Sequence, residues 1–213
     1  MVVAKQLIIG VVMGTVGLFV VSTVSYKRWR TWAIPIFICA VLLSLLLFVP
    51  GVGFSAGGAK RWIALGPLTF QPSEFLKLGV VLFCAWWYAK YKDKADTLRY
   101  GLAPFLAIVG AAAALVLAQP DTGTFLVLAT AAAGVFLVAG ASSKHLLYIC
   151  GIALIGMIVL ASTRPYIKQR IDTFLNPGED TLGSSYQLRQ SLIAIGSGGL
   201  TGRGFGQSVQ KFN

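Results

Sequence analysis

Six stretches of the chain, at 7–25, 32–49, 72–89, 102–118, 122–139 and 146–162, are dominated by apolar side chains and are each close to the length at which a helix crosses a bilayer. About 20 residues span the roughly 30 Å of hydrocarbon, and there only a helix or a closed barrel satisfies its own backbone. The period-two alternation of barrel strands is missing. The expected fold is therefore all-α, a polytopic transmembrane helix bundle of about six spans, followed by a polar segment over 163–213. Composition agrees: 56% of the 213 residues are hydrophobic and 12% charged, against about 45–50% and 25% in soluble domains.

The net charge of +11 does not point to nucleic acid, because the basic residues sit at the ends of apolar runs rather than on one soluble face. Lys27, Arg28 and Arg30, then Lys90, Lys92, Lys94 and Arg99, then Lys144 fall in short loops on one side, which the positive-inside rule makes the cytoplasm. The loop 51–71, the turn 119–121 and the segment 163–213 then face outward. Arg164, Lys168 and Arg170 depart from the rule, and two readings stay open for them: contact with a lipid phosphate, or snorkelling to headgroups. The first run ends at a basic cluster without a small-residue cleavage site, so it reads as a retained span rather than a signal peptide. Cys39, Cys84 and Cys150 lie inside apolar runs and read as small hydrophobes, with neither a disulfide nor a zinc site expected. His145 reads as an interfacial residue.

Of the seven acidic residues none lies at mid-span, where charge would mark an ion or proton route. Asp93 and Asp96 sit among lysines. Glu74, Asp121, Asp172, Glu179 and Asp180 all fall at or beyond the outward boundary, so any chemistry is expected there. Glu74 and Lys77 share a helix face at the start of the third run, with Pro72 in the first turn and Gln71 or Ser73 available as caps. Such a mouth is either a capped helix with a local ion pair or a phosphate site. The segment from Gly57 to Trp62 offers a glycine turn, two cations and an interfacial indole. It is an anchor by default, and a stacking face with a donor fork if a sugar or pyrophosphate is present. Downstream, residues 176–180 are turn-rich, 186–195 have helical character, and the glycines between Gly196 and Gly206 make a loop that lacks the spacing of a nucleotide-binding P-loop.

Three blocks resemble one family. The stretch GAKRWIALGPLTFQPSEFLKL, the QPDTGT from Gln119 to Thr124, and the segment from Arg164 through NPGED, GSSYQLRQSLIAIGSGGL and GRGFGQSVQK are similar, in order, to outer elements of the FtsW and RodA family, the shape, elongation, division and sporulation proteins. The ending from Gly206 to Lys211 looks most like the division branch. The resemblance implies a protein of about ten spans, of which this chain would lack the first and the C-terminal ones, stopping inside a large extracytoplasmic loop. It implies a peptidoglycan glycosyltransferase that polymerises lipid II outside the bacterial cytoplasmic membrane, at the division septum, with a class B penicillin-binding transpeptidase and other division proteins as partners. A lipid II flippase and a non-catalytic division scaffold are the alternatives. Carried over by position, the catalytic acid falls on Asp180 and the substrate-binding residues on Arg61, Trp62 and Lys77; Glu74 and Arg164 join the substrate-binding candidates from their places at the helix mouth and in the outward basic cluster. Thr181 stands where the family usually has proline, which loosens that turn. No cofactor is implied outright, and a divalent cation, Mg or Mn, is compatible with the acids.

Overall fold

The computed structural model describes residues 10–56, 59–65, 68–163, 165–175, 186–204 and 207, in two units, Met1–Leu147 and Tyr148–Asn213. The first unit holds α1 (Met13–Thr23), α2 (Tyr26–Leu46), three strands β1 (Gly53–Ala56), β2 (Ala59–Leu65) and β3 (Leu68–Phe70), then α3 (Pro72–Lys90), α4 (Ala103–Ala118), α5 (Thr122–Val138) and the start of α6 (Ser143–Thr163). The second unit holds the rest of α6, α7 (Pro165–Leu175) and α8 (Tyr186–Gly198). Over its described residues, each expected span overlaps a helix.

Among the described residues, Tyr26–Leu46, Leu98–Ala118 and Ser143–Thr163 are long and apolar enough to cross a membrane, and Gly10–Thr23 and Thr122–Val138 are shorter apolar helices. Their large side chains are exposed on the protein surface, among them Leu42, Leu126, Val138, Leu154 and Ile158, as lipid-facing residues must be. The helix α3 differs because it carries Glu74, Lys77 and Lys90, yet it has buried residues along its whole length, from Pro72 to Tyr88. It forms the centre of the bundle, and α2, α4 and α5 pack around it. A helix shielded from lipid by its neighbours needs less apolar surface than one at the periphery.

Close approach of α2 and α3 rests on Gly79, where an added Cβ would lie 3.2 Å from both the Ala40 Cβ and the Phe37 Cα. One turn on, Phe37 stacks on Phe83 with centroids 4.7 Å apart. These contacts run α2 and α3 antiparallel, so the start of α2 and the end of α3 share one end of the bundle. That end carries the basic residues and the other carries the sheet. At the basic end the Tyr88, Phe105, Phe136 and His145 rings meet, with Phe136 at 5.2, 5.1 and 6.3 Å from the other three centroids.

Several local expectations need correction. The loop 51–71 contains an antiparallel sheet of order β1-β2-β3, an exception to an all-helical chain. Ala56 pairs with Ala59 and Leu65 with Leu68, and the residues between are Gly57-Gly58 and Gly66-Pro67, both turn-forming dipeptides. The basic trio Lys27, Arg28 and Arg30 belongs to the first turns of α2, not to a loop. His145 is buried against Phe136 rather than interfacial. Among the described residues after α6, Pro165–Leu175 is helical as well as Tyr186–Gly198, and in α7 Ile167, Ile171 and Phe174 recur at helical spacing. The glycine-rich stretch behaves as expected beyond Gly198, where Gly199, Gly202 and Gly204 take positive φ.

Candidate functional site

The sheet end of the first unit gathers most of the described candidates. In the pairing of β1 with β2, Phe54 faces Trp62 and Ser55 faces Lys60, so Arg61 is the extra residue of a β-bulge. A bulge re-aims its side chain, and this one reaches the turn between α4 and α5. Arg61 Nε donates to the Gln119 carbonyl at 3.2 Å, and its Nη2 donates to the Pro120 carbonyl. These carbonyls close the C-terminus of α4, where orphan acceptors favour a cation. The guanidinium has five N–H donors, so three remain for another acceptor.

The same turn is held from the other side. Asp121 is 7% exposed and caps α5, accepting from the Thr124 amide at 3.2 Å and the Thr124 hydroxyl at 2.8 Å. Its second oxygen also accepts from Gln71 Nε2 at 3.3 Å, which ties the turn to the residue preceding α3. Gln71 therefore does not cap α3 with its side chain, and neither does Ser73, whose hydroxyl is buried without a partner. The Gln71 carbonyl instead accepts from the Glu74 amide at 3.1 Å. Both amide atoms of the Gln119 side chain are likewise buried and unpartnered. Pro72 occupies the first turn as expected, where no amide donor is required.

Glu74 and Lys77 form an ion pair of 2.8 Å, with side chains 55% and 26% exposed. At that exposure the pair is worth about 0–1 kcal/mol, so either group is free to exchange its partner. Trp62, next to Arg61 on β2, is half-buried and shares a cross-strand pair with Phe54. Among the described residues no hydrogen bond or ion pair joins Lys77 to Arg61 or to Trp62. Asp180, Glu179 and Arg164 lie outside the described residues. No group of three or more His, Cys, Asp or Glu among the described residues is placed to hold a metal ion.

Sequence reasoning offered Gln71 only as a cap of α3 and gave Asp121 and Gln119 no role in organising this end. The signal was present in Asp121 followed by Thr124 at the head of an apolar run, the pattern of a capped helix start. Asp121→Ala is expected to remove an acceptor from three donors. The cap alone is worth about 0.5–2 kcal/mol, and Asp121→Asn should keep most of it. Thermal unfolding in detergent checks this, and equal midpoints for wild type and the Ala variant would show the cap to be idle.

Fold and site define a multi-pass membrane protein whose helix bundle carries a small sheet, fastened by a bulged arginine, at one end. Over residues 1–213 the chain matches the FTSW_RODA_SPOVE family model, described as cell cycle protein, and it belongs to that family. It is 38% identical over 209 residues to stage V sporulation protein E of Bacillus subtilis (strain 168), covering 98% of this chain and 57% of the relative. It is 39% identical over 195 residues to a protein of Allochromatium vinosum named "Probable peptidoglycan glycosyltransferase FtsW", covering 92% of this chain and 49% of the relative. A solved structure described as "Structural coordination of polymerization and crosslinking by a peptidoglycan synthase complex" superposes with a TM-score of 0.73 at 32% identity, covering 93% of this chain and 58% of that one. The rod shape determining protein RodA of Thermus thermophilus gives 0.53 at 32% identity, covering 64% and 44%. The chain spans about half the length of the curated relatives it matches.

Proposed function

We propose that this chain is part of a peptidoglycan glycosyltransferase that joins lipid II units into glycan strands on the outer face of the bacterial cytoplasmic membrane, serving division at the septum. The observation that carries the reading is membership of a family in which relatives at 36% and 39% identity bear the name peptidoglycan glycosyltransferase. The sheet end supports it chemically. Arg61 keeps unused donors there, Trp62 offers an indole face, and Lys77 is held only by an exposed carboxylate. A sugar carrying a pyrophosphate needs stacking, a donor fork and a cation near the bilayer surface. In this reading Arg61, Trp62 and Lys77 bind the donor, with Arg164 adding charge, and Glu74 releases Lys77 to the phosphate.

The proposed reaction forms a bond from an acceptor sugar hydroxyl to the anomeric carbon of the donor. The bond to undecaprenyl pyrophosphate breaks, and the hydroxyl proton passes to Asp180. Pyrophosphate leaves without protonation, unlike the alkoxide that makes glycosidases need two carboxylates. One base and cations to meet the developing phosphate charge therefore suffice. A class B penicillin-binding transpeptidase is the proposed partner that crosslinks the product.

The test is polymerisation of labelled lipid II by the purified full-length protein with that partner, read as glycan ladders on gels. Lys77→Met is expected to weaken lipid II binding by about 1.5–3 kcal/mol, a tenfold or larger loss of affinity. Transbilayer movement of lipid II in vesicles without any polymer would replace this reading with a flippase. Unchanged affinity in the Met variant would remove Lys77 from the site.

A further inference from the structure

At the opposite end of the bundle, the segment joining α3 to α4 folds into a compact corner. A 3-10 turn at Lys92–Lys94 is followed by a π-helical turn at Leu98–Leu102, which Thr97 opens by accepting from the Tyr100 amide at 3.3 Å. Two side chains of α3 pin the corner down. Trp87 Nε1 donates to the Tyr100 carbonyl at 2.9 Å, and the Tyr88 hydroxyl donates to the Gly101 carbonyl at 3.0 Å. The result brings the Tyr91 and Tyr100 rings to 5.0 Å.

Three cations converge on that ring pair. Lys90 Nζ lies 5.4 Å from the Tyr91 centroid and 5.3 Å from that of Trp86. Lys94 Nζ lies 5.1 Å and Arg99 Cζ 5.7 Å from the centroid of Tyr100. Each contact is within the range at which a ring face attracts a cation. The cations nevertheless repel one another. Asp93 and Asp96 lie in the same segment, but among the described residues neither forms an ion pair with these cations, and with Lys92 the segment keeps a net positive charge. Converging cations in net excess, held by a fixed backbone, make a surface for an anion.

We propose that this corner binds the headgroup of an anionic phospholipid. The position decides between a lipid and an acidic protein. The corner joins the end of α3 to the start of the span Leu98–Ala118, so it sits at headgroup depth, where Trp and Tyr concentrate. Leu98, 66% exposed beside Arg99, presents apolar surface to an acyl chain. The rings and cations together match a phosphate with its glycerol and chains better than they match a peptide carboxylate.

The experiment uses the chain in detergent micelles with Trp29, Trp32 and Trp62 replaced by Phe, so that Trp86 and Trp87 report. Quenching by brominated phosphatidylglycerol is compared with quenching by brominated phosphatidylcholine. The parent should prefer the anionic lipid by roughly fivefold or more, the effect of one basic residue near a charged surface. The triple variant Lys90→Gln, Lys94→Gln, Arg99→Gln should lose the preference. Removing the same charge at Lys27→Gln, Arg28→Gln, Arg30→Gln should leave it. The charge-keeping triple Lys90→Arg, Lys94→Arg, Arg99→Lys should keep it, which covers the case in which the glutamine variant does not fold. Equal quenching by both lipids in the parent overturns the proposal, whether or not a polyglutamate peptide binds. An equal loss in the two glutamine triples also overturns it, because the charge would then act as a diffuse surface and not as a site.

Discussion

Asp180→Asn in the full-length protein should cut the rate of lipid II polymerisation by about a hundredfold to ten-thousandfold, the span that a positioned general base contributes. The substitution is chosen because asparagine caps a helix or closes a turn about as well as aspartate, so a structural role would survive it. It cannot accept the hydroxyl proton, so a role as base would not. Glu179 is adjacent but would not share a helix face with Asp180, and it is not expected to replace it. The measurement is the initial rate of glycan formation from labelled lipid II, with binding of lipid II followed in parallel. A lowered rate with binding intact is the expected pattern. A folded Asn variant working at near wild-type rate would make Asp180 structural and end the one-base mechanism.

Gly101→Ala should be among the most damaging single-methyl changes in the chain. A Cβ at Gly101 would lie 2.0 Å from the Ala95 carbonyl oxygen, a backbone atom with no side chain to move aside. The corner between α3 and α4 would have to open, and the bonds from Trp87 to Tyr100 and from Tyr88 to Gly101 would go with it. Overpacking commonly costs 1–3 kcal/mol, and with the coupled bonds lost we expect about 3 kcal/mol or more. Tyr88→Phe provides the smaller reference: it leaves one buried carbonyl short of a donor, about 1–3 kcal/mol. Thermal unfolding in detergent ranks the two. A Gly101→Ala midpoint at or above that of Tyr88→Phe would mean the corner yields more easily than its backbone contacts imply.

The helices were legible in the sequence because lipid imposes one demand on every span, and apolar length records it. Even the exception follows that logic: α3 carries Glu74 and Lys77 in its first two turns and Lys90 at its last residue, so its charges lie at the ends and its middle stays apolar. The sheet was not read, since β1, β2 and β3 are short and lie in a loop whose cations and tryptophan suggested an interfacial anchor. Only Gly57-Gly58 and Gly66-Pro67, at hairpin spacing, marked it. Arg61, Glu74 and Lys77 were singled out from residue type and position, and the fold sets all three at the sheet end. The partners of Arg61 were beyond reach, because the carbonyls of Gln119 and Pro120 lie 58 and 59 residues away and backbone acceptors leave no mark in side-chain identity. His145 was misread for a related reason: adjacency to Lys144 says nothing about the Phe136 ring that covers it.

The two ends of the bundle differ in what fills them. Beneath the sheet, the Ser73 hydroxyl and both polar atoms of the Gln119 amide are enclosed with no protein partner. Each such group costs about 1–3 kcal/mol while it lacks a partner, so this end favours whatever can supply one. At the basic end the Tyr88, Phe105 and Phe136 rings close the space, and His145 Nδ1 is the one orphan polar atom among the described residues there. The sheet end thus buries polar groups beside its candidate residues, while aromatic rings fill the basic end. A polar group that reaches the sheet end therefore meets donors and acceptors in want of a partner, and at the other end it meets packed rings.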